Sequence, residues 1–213
     1  MSVGERLAAV RERIERAGRN PDDVAIVAVT KGFGPEACRE ALQAGLTRLG
    51  ENRVQEALAK MDVVDGAQWH LIGHLQSNKV RHAAGRFALI QSVDTVRLAE
   101  QIARMHPEQQ VLLEVNVSRE QQKSGAAPDQ ALDVAAAVAR LLDLRGFMGM
   151  GPTEGDPTPA FAELKRLRDE GEQRVGCALP ILSMGMSADF ELALAAGSTM
   201  LRLGQVLFGP RPA

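Results

Sequence analysis

A single lysine, Lys31, ends the apolar run from Val24 to Thr30 and is followed at once by Gly32-Phe33-Gly34-Pro35. An amine held at the end of a strand, facing a loop at the edge of a buried site, can be desolvated and act as a Schiff-base nucleophile. The plainer alternative is a strand that simply ends at solvent, where lysines are common. Deciding between them needs the other groups that the fold brings to the same edge. Further apolar runs end in Glu51-Asn52, Gly73-His74, Asp94, Asn116, Met150, Ser183-Met184-Gly185 and Arg202-Leu203-Gly204. Beside the amine they offer an amide, an imidazole, a hydroxyl and a guanidinium. The stretch Ser183-Met184-Gly185-Met186-Ser187 leads into a helical pattern over 188–196, so its glycine, its hydroxyls and the N–H groups of a helix start could face an anion. Ser187 reads first as the N-cap of that helix, a role compatible with anion contact. Gly204 lacks a Cβ and lets backbone N–H groups approach a ligand closely. Together the last two stretches make a candidate phosphate cradle.

These groups share one face only if the fold aligns the strand ends. Val3, Leu7, Val10, Ile14 and Ala17 recur at helical spacing and mark an opening amphipathic helix closed by Gly18 and Pro21. After it one unit repeats: a short apolar run, a loop, a helical pattern. The runs are 24–30, 48–51, 69–73, 88–93, 110–117, 144–150, 181–184 and 199–203. Helix starts follow at Pro35, Asn52, Ser77, Asp94-Thr95, Pro128-Asp129, Thr158-Pro159 and Ser187. Gly45 and Gly197 sit where two of these helices should stop. Eight near-continuous apolar strands alternating with helices predict parallel strands buried on both faces. The expected fold is α/β, a single (β/α)8 TIM-like barrel with an extra N-terminal helix, spanning 1–213 as one domain. A doubly wound open sheet is the rival, but Thr30-Lys31-Gly32-Phe33-Gly34 lacks the G-x-G-x-x-G spacing such a sheet would usually carry. In a barrel, functional groups collect at the C-terminal strand ends, where the set above lies. At 213 residues the chain is short for a barrel, so its loops must be brief.

Composition narrows the function. A net charge of -2 and 3% aromatic residues provide neither a basic stripe nor a stacking surface, which argues against nucleic acid. Cys38 and Cys177 lie far apart and read as reduced, buried thiols, with neither a metal spacing nor a disulfide framework. No apolar run approaches a membrane span, and the first residues alternate Glu and Arg, so a cytoplasmic protein is expected, without membrane contact. Of four histidines, His70 lies inside a strand and reads as a satisfied core residue, His74 lies just past a strand end where it can line the site, and His82 and His106 read as surface residues at helix ends. They offer no ligand spacing, so no metal is expected. The polar loop 118–125 contains Lys123, which reads as solvated. With no exposed aromatic patch, a monomer is the expected state.

The motifs themselves resemble one family. VAVTK ending at Lys31, GENRVQEAL (50–58), WHLIGHLQSNK (69–79), Ser92-Val93-Asp94, EVNVSREQQKSG (114–125), LSMGMSADFELA (182–193) and RLGQVLFG (202–209) resemble the pyridoxal phosphate homeostasis proteins over nearly the whole chain. The resemblance implies a single barrel like the N-terminal domain of alanine racemase, with pyridoxal 5'-phosphate held as a Schiff base on Lys31. It further implies that Ser183 and Gly185, with the backbone at Gly204 and Gln205, hold the phosphate and that Arg202 faces the pyridine nitrogen. Asn52, His74 and Met184 would line the ring or the linkage to lysine. Three positions depart from the family pattern. A Lys-Pro pair usually follows the lysine where Gly32-Phe33-Gly34-Pro35 stands; a tyrosine usually follows GEN where Arg53 stands; and Ser or Thr usually occupies the position of Gln205. The last change removes a hydroxyl contact to the phosphate, worth about 1 kcal/mol, while sparing the backbone N–H.

Two functions from different classes fit a lysine-bound cofactor. A racemase-like enzyme would need general bases placed around the substrate's α-carbon. The chain contains no tyrosine, and so cannot supply the tyrosine base that alanine racemase brings from a C-terminal domain. An open barrel mouth with short loops suits entry and exit of a cofactor better than water-excluding turnover. The preferred expectation is therefore a non-enzymatic protein that buffers pyridoxal phosphate or delivers it to apo-enzymes dependent on it.

Overall fold

A computed structural model of the chain describes residues 1–210; the last three residues of the expected 1–213 unit lie outside the described residues. Eight parallel strands, β1 (Ala25–Val29), β2 (Arg48–Glu51), β3 (Gln68–Leu71), β4 (Leu89–Val93), β5 (Gln110–Glu114), β6 (Asp143–Met148), β7 (Ile181–Ser183) and β8 (Met200–Leu203), pair in sequence order. The ring closes through β1 and β8, where Val27 lies opposite Arg202 and Ala28 opposite Leu203. The (β/α)8 barrel expected from the repeated unit is the fold.

Around the barrel run α2 (Pro35–Gln43), α3 (Val54–Met61), α4 (Val80–Ala83), α5 (Val96–Met105), α6 (Ala131–Ala139), α7 (Thr158–Val175) and α8 (Phe190–Ala195), with α1 (Val3–Arg16) before the first strand and α9 (Gln205–Phe208) after the last. Helix α1 begins with a capping box in which Ser2 and Glu5 bond reciprocally, satisfying two of the donors a helix start leaves over. Its Val10 and Ile14 are fully buried, each worth roughly 1.5–3 kcal/mol. Arg13 stacks over Phe190 at 4.3 Å and bonds Glu191 at 2.6 Å, which ties the opening helix to α8.

Alternation along the strands sorts residues between two cores. Val27, Leu89, Leu112, Met148 and Met200 fill the barrel interior, while Ala28, Leu113, Leu201 and Leu203 pack outward into the layer under the helices. On β8 the alternation that turns Met200 inward turns Arg202 inward too. Sequence boundaries shift at several elements, among them β5, α4 and α8. β5 stops at Glu114 rather than running to Val117, because Val115 pairs with Ala126 and the intervening loop folds back on itself. Helix α4 is preceded by a short 3-10 turn over Ser77–Lys79. Helix α8 begins at Phe190, not Ala188, so Ser187 is not its N-cap. Asp189 accepts the Met186 amide at 2.6 Å and turns residues 186–189 out of the helix.

Two minor expectations are also corrected. Cys38 is buried but Cys177 is exposed, since it follows the left-handed Gly176 that ends α7. His82 is exposed, whereas His106 is half-buried, its Nδ1 is enclosed without a partner, and its ring lies against Gly85.

Candidate active site at the C-terminal strand ends

The groups that the sequence placed at strand ends converge on one cavity of about 690 Å³ in the barrel mouth. Lys31, Asn52, His74, Arg202, Gly204 and Gln205 all line it. Lys31 is half-buried and stands in a tight turn directly after β1. The Phe33 amide donates to the Thr30 carbonyl at 3.0 Å, and Gly32 adopts φ +77°. A positive φ at the third position is what a type II turn requires, and glycine meets it without strain. That glycine follows the lysine is thus a geometric need.

Arg202 is 5% exposed and reaches the cavity from the barrel interior. Its Nη1 donates to the Ser183 carbonyl at 2.8 Å and hydroxyl at 2.7 Å, and its Nη2 to the Gly149 carbonyl at 2.9 Å. Burial lowers its pKa to about 10, against the attraction of Glu114 and Asp189. It remains a cation at neutral pH. The Ser183 hydroxyl in turn donates to Gln91 Oε1 at 2.7 Å, and Gln91 Nε2 meets His70 Nδ1 at 3.0 Å. This polar chain crosses the barrel interior and accounts for His70, whose pKa burial lowers to about 4, with Arg48 adding repulsion.

Three expected site residues are not brought to the cavity. Ser183 is completely buried beneath Arg202. Met184 is also fully buried, packs in the outer core and does not line the cavity. Gly185, at φ +96°, is packed so closely against Ala193, Leu201 and Phe190 that a Cβ would collide, and its carbonyl accepts the Arg202 amide at 3.1 Å. The residues that face the cavity after β7 are instead Met186, Ser187 and Ala188. The Ser187 hydroxyl accepts the Val206 amide at 3.2 Å, joining this loop to α9. Among the described residues the amides of Ser187, Ala188, Gly204 and Gln205 take no acceptor. Four unengaged donors on residues lining one cavity are a set that suits an anion.

Sequence reasoning missed Glu114 and assigned Lys123 to solvent. Glu114 ends β5, is 4% exposed and lines the cavity. Burial and the nearby Asp94 push its carboxyl up to about 7, against the pull of Arg202. It sits inside an apolar run, and its carboxylate in a buried register was the available signal. The loop 116–125 folds over the mouth, held by Asn116 Nδ2, which donates to the carbonyls of Glu120 at 2.9 Å and Lys123 at 3.3 Å. Gln122, Lys123 and Ser124 thereby line the cavity. Lys123 pairs with Glu120 and donates to the Gly151 carbonyl at 2.6 Å. His74 lies at the rim, half exposed, with Nδ1 3.6 Å from Asp94.

An amine, a committed guanidinium and unengaged amides around one cavity suit a phosphorylated carbonyl compound. The family model of the alanine racemase N-terminal domain matches residues 6–212. The pyridoxal phosphate homeostasis protein of Aquifex aeolicus is 40% identical over 226 residues, covering 99% of both chains, and that of Escherichia coli K12 is 37% identical, covering 98% of this chain and 97% of its own. The structure of PipY from Synechococcus elongatus with PLP bound superimposes with a TM-score of 0.86 at 35% identity, covering 98% of this chain and all of that one. Alanine racemase from Corynebacterium glutamicum shares the fold at a TM-score of 0.80 and 15% identity, with 99% of this chain matching 60% of its length. The chain belongs to the alanine racemase N-terminal domain family and, within it, to the pyridoxal phosphate homeostasis proteins.

Proposed function

We propose that this protein binds pyridoxal 5'-phosphate in the barrel-mouth cavity, holds it as a Schiff base on Lys31, and serves its homeostasis by buffering or delivery to apo-enzymes rather than by turnover. The observation that carries the reading is the placement of Lys31 in one cavity with Arg202 and the unengaged amides of Ser187, Ala188, Gly204 and Gln205. The donor set fits the cofactor, whose aldehyde condenses with a neutral amine and whose phosphate supplies the anion. Lys31 presents the amine. The two amide pairs hold the phosphate, with Gly185 shaping the turn that aims one pair, and Ser183 acting from behind by fixing Arg202. Arg202, protonated throughout the neutral range, donates toward the pyridine nitrogen and leaves that atom an acceptor. Val29, Ile72 and Met150 give the ring apolar walls, and Asn52 and His74 border the side on which Lys31 lies.

Carriage rather than catalysis is supported by what surrounds the amine. A racemase needs two opposed bases at the α-carbon, and the chain contains no tyrosine to act as one. The 213-residue barrel works in this reading as a single domain and a monomer in the cytoplasm. Protein loaded with pyridoxal phosphate is expected to be yellow, borohydride to fix the cofactor on Lys31, and Lys31→Ala to be colourless. An alanine variant that kept the visible band would remove Lys31 from the assignment. Amino-acid racemisation at about 1–1,000 per second would replace the carrier reading by an enzymatic one.

A further inference from the structure

Behind Lys31 lies a buried charged cluster that the cofactor reading does not use. Lys60, on α3, has a side chain only 6% exposed, and Glu51, at the end of β2, is fully buried. Lys60 Nζ donates to Glu51 Oε1 at 2.7 Å, to Glu56 Oε1 at 3.0 Å and to the Thr30 carbonyl at 2.9 Å. The Thr30 hydroxyl donates to the same Glu51 oxygen at 2.5 Å, and the Gly32 amide donates to Glu56 Oε1 at 2.7 Å. Burial pulls Lys60 down, but its bonds to Glu51 and Glu56 outweigh it and hold its pKa above the ordinary lysine value. Glu51 is pushed the other way from a simple ion pair, because burial outweighs its hydrogen bonds. The short Nζ contacts to two carboxylates and a carbonyl favour the charged lysine.

The cluster grips the peptide groups on both sides of one residue. The carbonyl before Lys31 receives Lys60 as well as the closing bond of the turn, and the amide after Lys31 is held by Glu56. In an unsupported type II turn the amide of the third residue has no intrinsic acceptor and the central peptide can rotate. Buried ion pairs contribute little net stability compared with apolar packing, so the buried Lys60–Glu51 pair, extended by the half-exposed Glu56 at this one turn, calls for another benefit. We propose that Lys60, Glu51 and Glu56 are positioning residues that lock the Thr30–Gly32 turn and thereby hold the Lys31 amine at the cavity for carbonyl capture. The inference rests on the Schiff-base reading of Lys31. In that step the Lys31 nitrogen forms a bond to the aldehyde carbon, the carbonyl oxygen leaves as water with both amine protons, and no redox partner is needed. A misplaced amine slows the covalent step without weakening the earlier, phosphate-anchored encounter.

The experiment separates those two steps. Capture of pyridoxal phosphate is followed by stopped-flow absorbance over a range of cofactor concentrations, with borohydride fixation identifying the lysine, and exchange of the Gly32 amide is measured by NMR on protein without cofactor. Glu56→Ala, at a half-exposed position, is expected to slow capture at saturating cofactor by about tenfold or more, leave the half-saturating concentration unchanged, and speed Gly32 exchange. Glu56→Gln keeps an acceptor for that amide and should restore the rate. Because Lys60→Met strands the Glu51 carboxylate, it is made together with Glu51→Gln, and this double variant should reproduce the slow capture. If it fails to fold, Glu56→Ala decides alone. A saturating rate for Glu56→Ala within about twofold of wild type, or a loss confined to the half-saturating concentration, overturns the positioning role. Wild type that fixes no cofactor on Lys31 defeats the Schiff-base reading and this inference with it; normal fixation beside an unaffected Glu56→Ala defeats only the inference.

Discussion

The Ser183 hydroxyl accepts a hydrogen bond from Arg202 Nη1 at 2.7 Å and is completely buried beneath it. The same oxygen donates to Gln91, so Ser183 couples the guanidinium at the cavity to the polar chain inside the barrel. A hydroxyl that the motif suggests for the phosphate thus orients the arginine.

Ser183→Ala is therefore expected to act on stability more than on phosphate anchoring. It removes a charge-assisted bond from Arg202 and leaves Gln91 Oε1 without its donor, at a combined cost of about 2 kcal/mol. Urea unfolding at pH 7 measures the loss, while borohydride should still fix cofactor on Lys31. Unchanged stability with weakened cofactor affinity would return Ser183 to the phosphate.

Glu114 makes stability depend on pH in the direction opposite to an ordinary paired carboxylate. Its pKa rises to about 7 in the folded chain, so between the unfolded value and 7 the native state keeps a proton that the unfolded state has lost. Stability therefore falls as pH rises through that window, by as much as about 3 kcal/mol. Glu114→Gln, which mimics the protonated form, should be more stable than wild type at pH 8 and nearly equal at pH 4.5. Coincident unfolding curves for the two proteins at pH 8 would overturn this reading of Glu114.

Much of this fold was legible because its signals are local and repeated. Eight apolar runs separated by helical patterns predicted strand order and closure, and Lys31, Asn52, His74, Arg202, Gly204 and Gln205 reach the mouth because a barrel aligns strand ends. The turn after β7 was less legible. Met184 and Gly185 follow a strand end as Lys31 does, yet Met184 packs outward and Gly185 is sealed by Ala193 and Phe190. Which way a loop turns depends on long-range packing that spacing does not encode. Ser187 lost the cap position to Asp189, whose carboxylate holds the Met186 amide rather than the helix start. Lys60 was invisible for a related reason: it anchors on the Thr30 carbonyl, and carbonyls carry no sequence signature; Glu51 stood out as a strand end, but not its pairing with Lys60 and the Thr30 hydroxyl.

His70 should govern the acid side of the stability profile. Its pKa falls to about 4 in the barrel interior, first through burial and then through Arg48. Below the unfolded value the unfolded chain takes up a proton that the native chain refuses, so stability declines as pH drops toward 4, by up to about 3 kcal/mol. His70→Gln retains an acceptor for Gln91 and cannot titrate. The stability difference between pH 7 and pH 4 should shrink in the variant, as measured by urea unfolding at each pH. An identical difference in both proteins would place the acid sensitivity on other groups.

Gln205 opens α9 and lines the cavity, in the proposed phosphate cradle, where the family resemblance implies a hydroxyl residue. Its amide is unengaged and belongs to the backbone, so the anchoring proposed for it does not depend on side-chain identity. Two substitutions separate these contributions. Gln205→Ala should bind pyridoxal phosphate as wild type does, since the amide remains. Gln205→Ser adds a donor beside the same amide and should tighten binding about fivefold, the equivalent of one hydrogen bond of about 1 kcal/mol. Both are made in the Lys31→Ala background, so that titration with the cofactor reads phosphate and ring contacts without the covalent step. If Gln205→Ala binds much more weakly than its parent, the glutamine side chain itself holds the ligand and the amide cradle has been given too large a share.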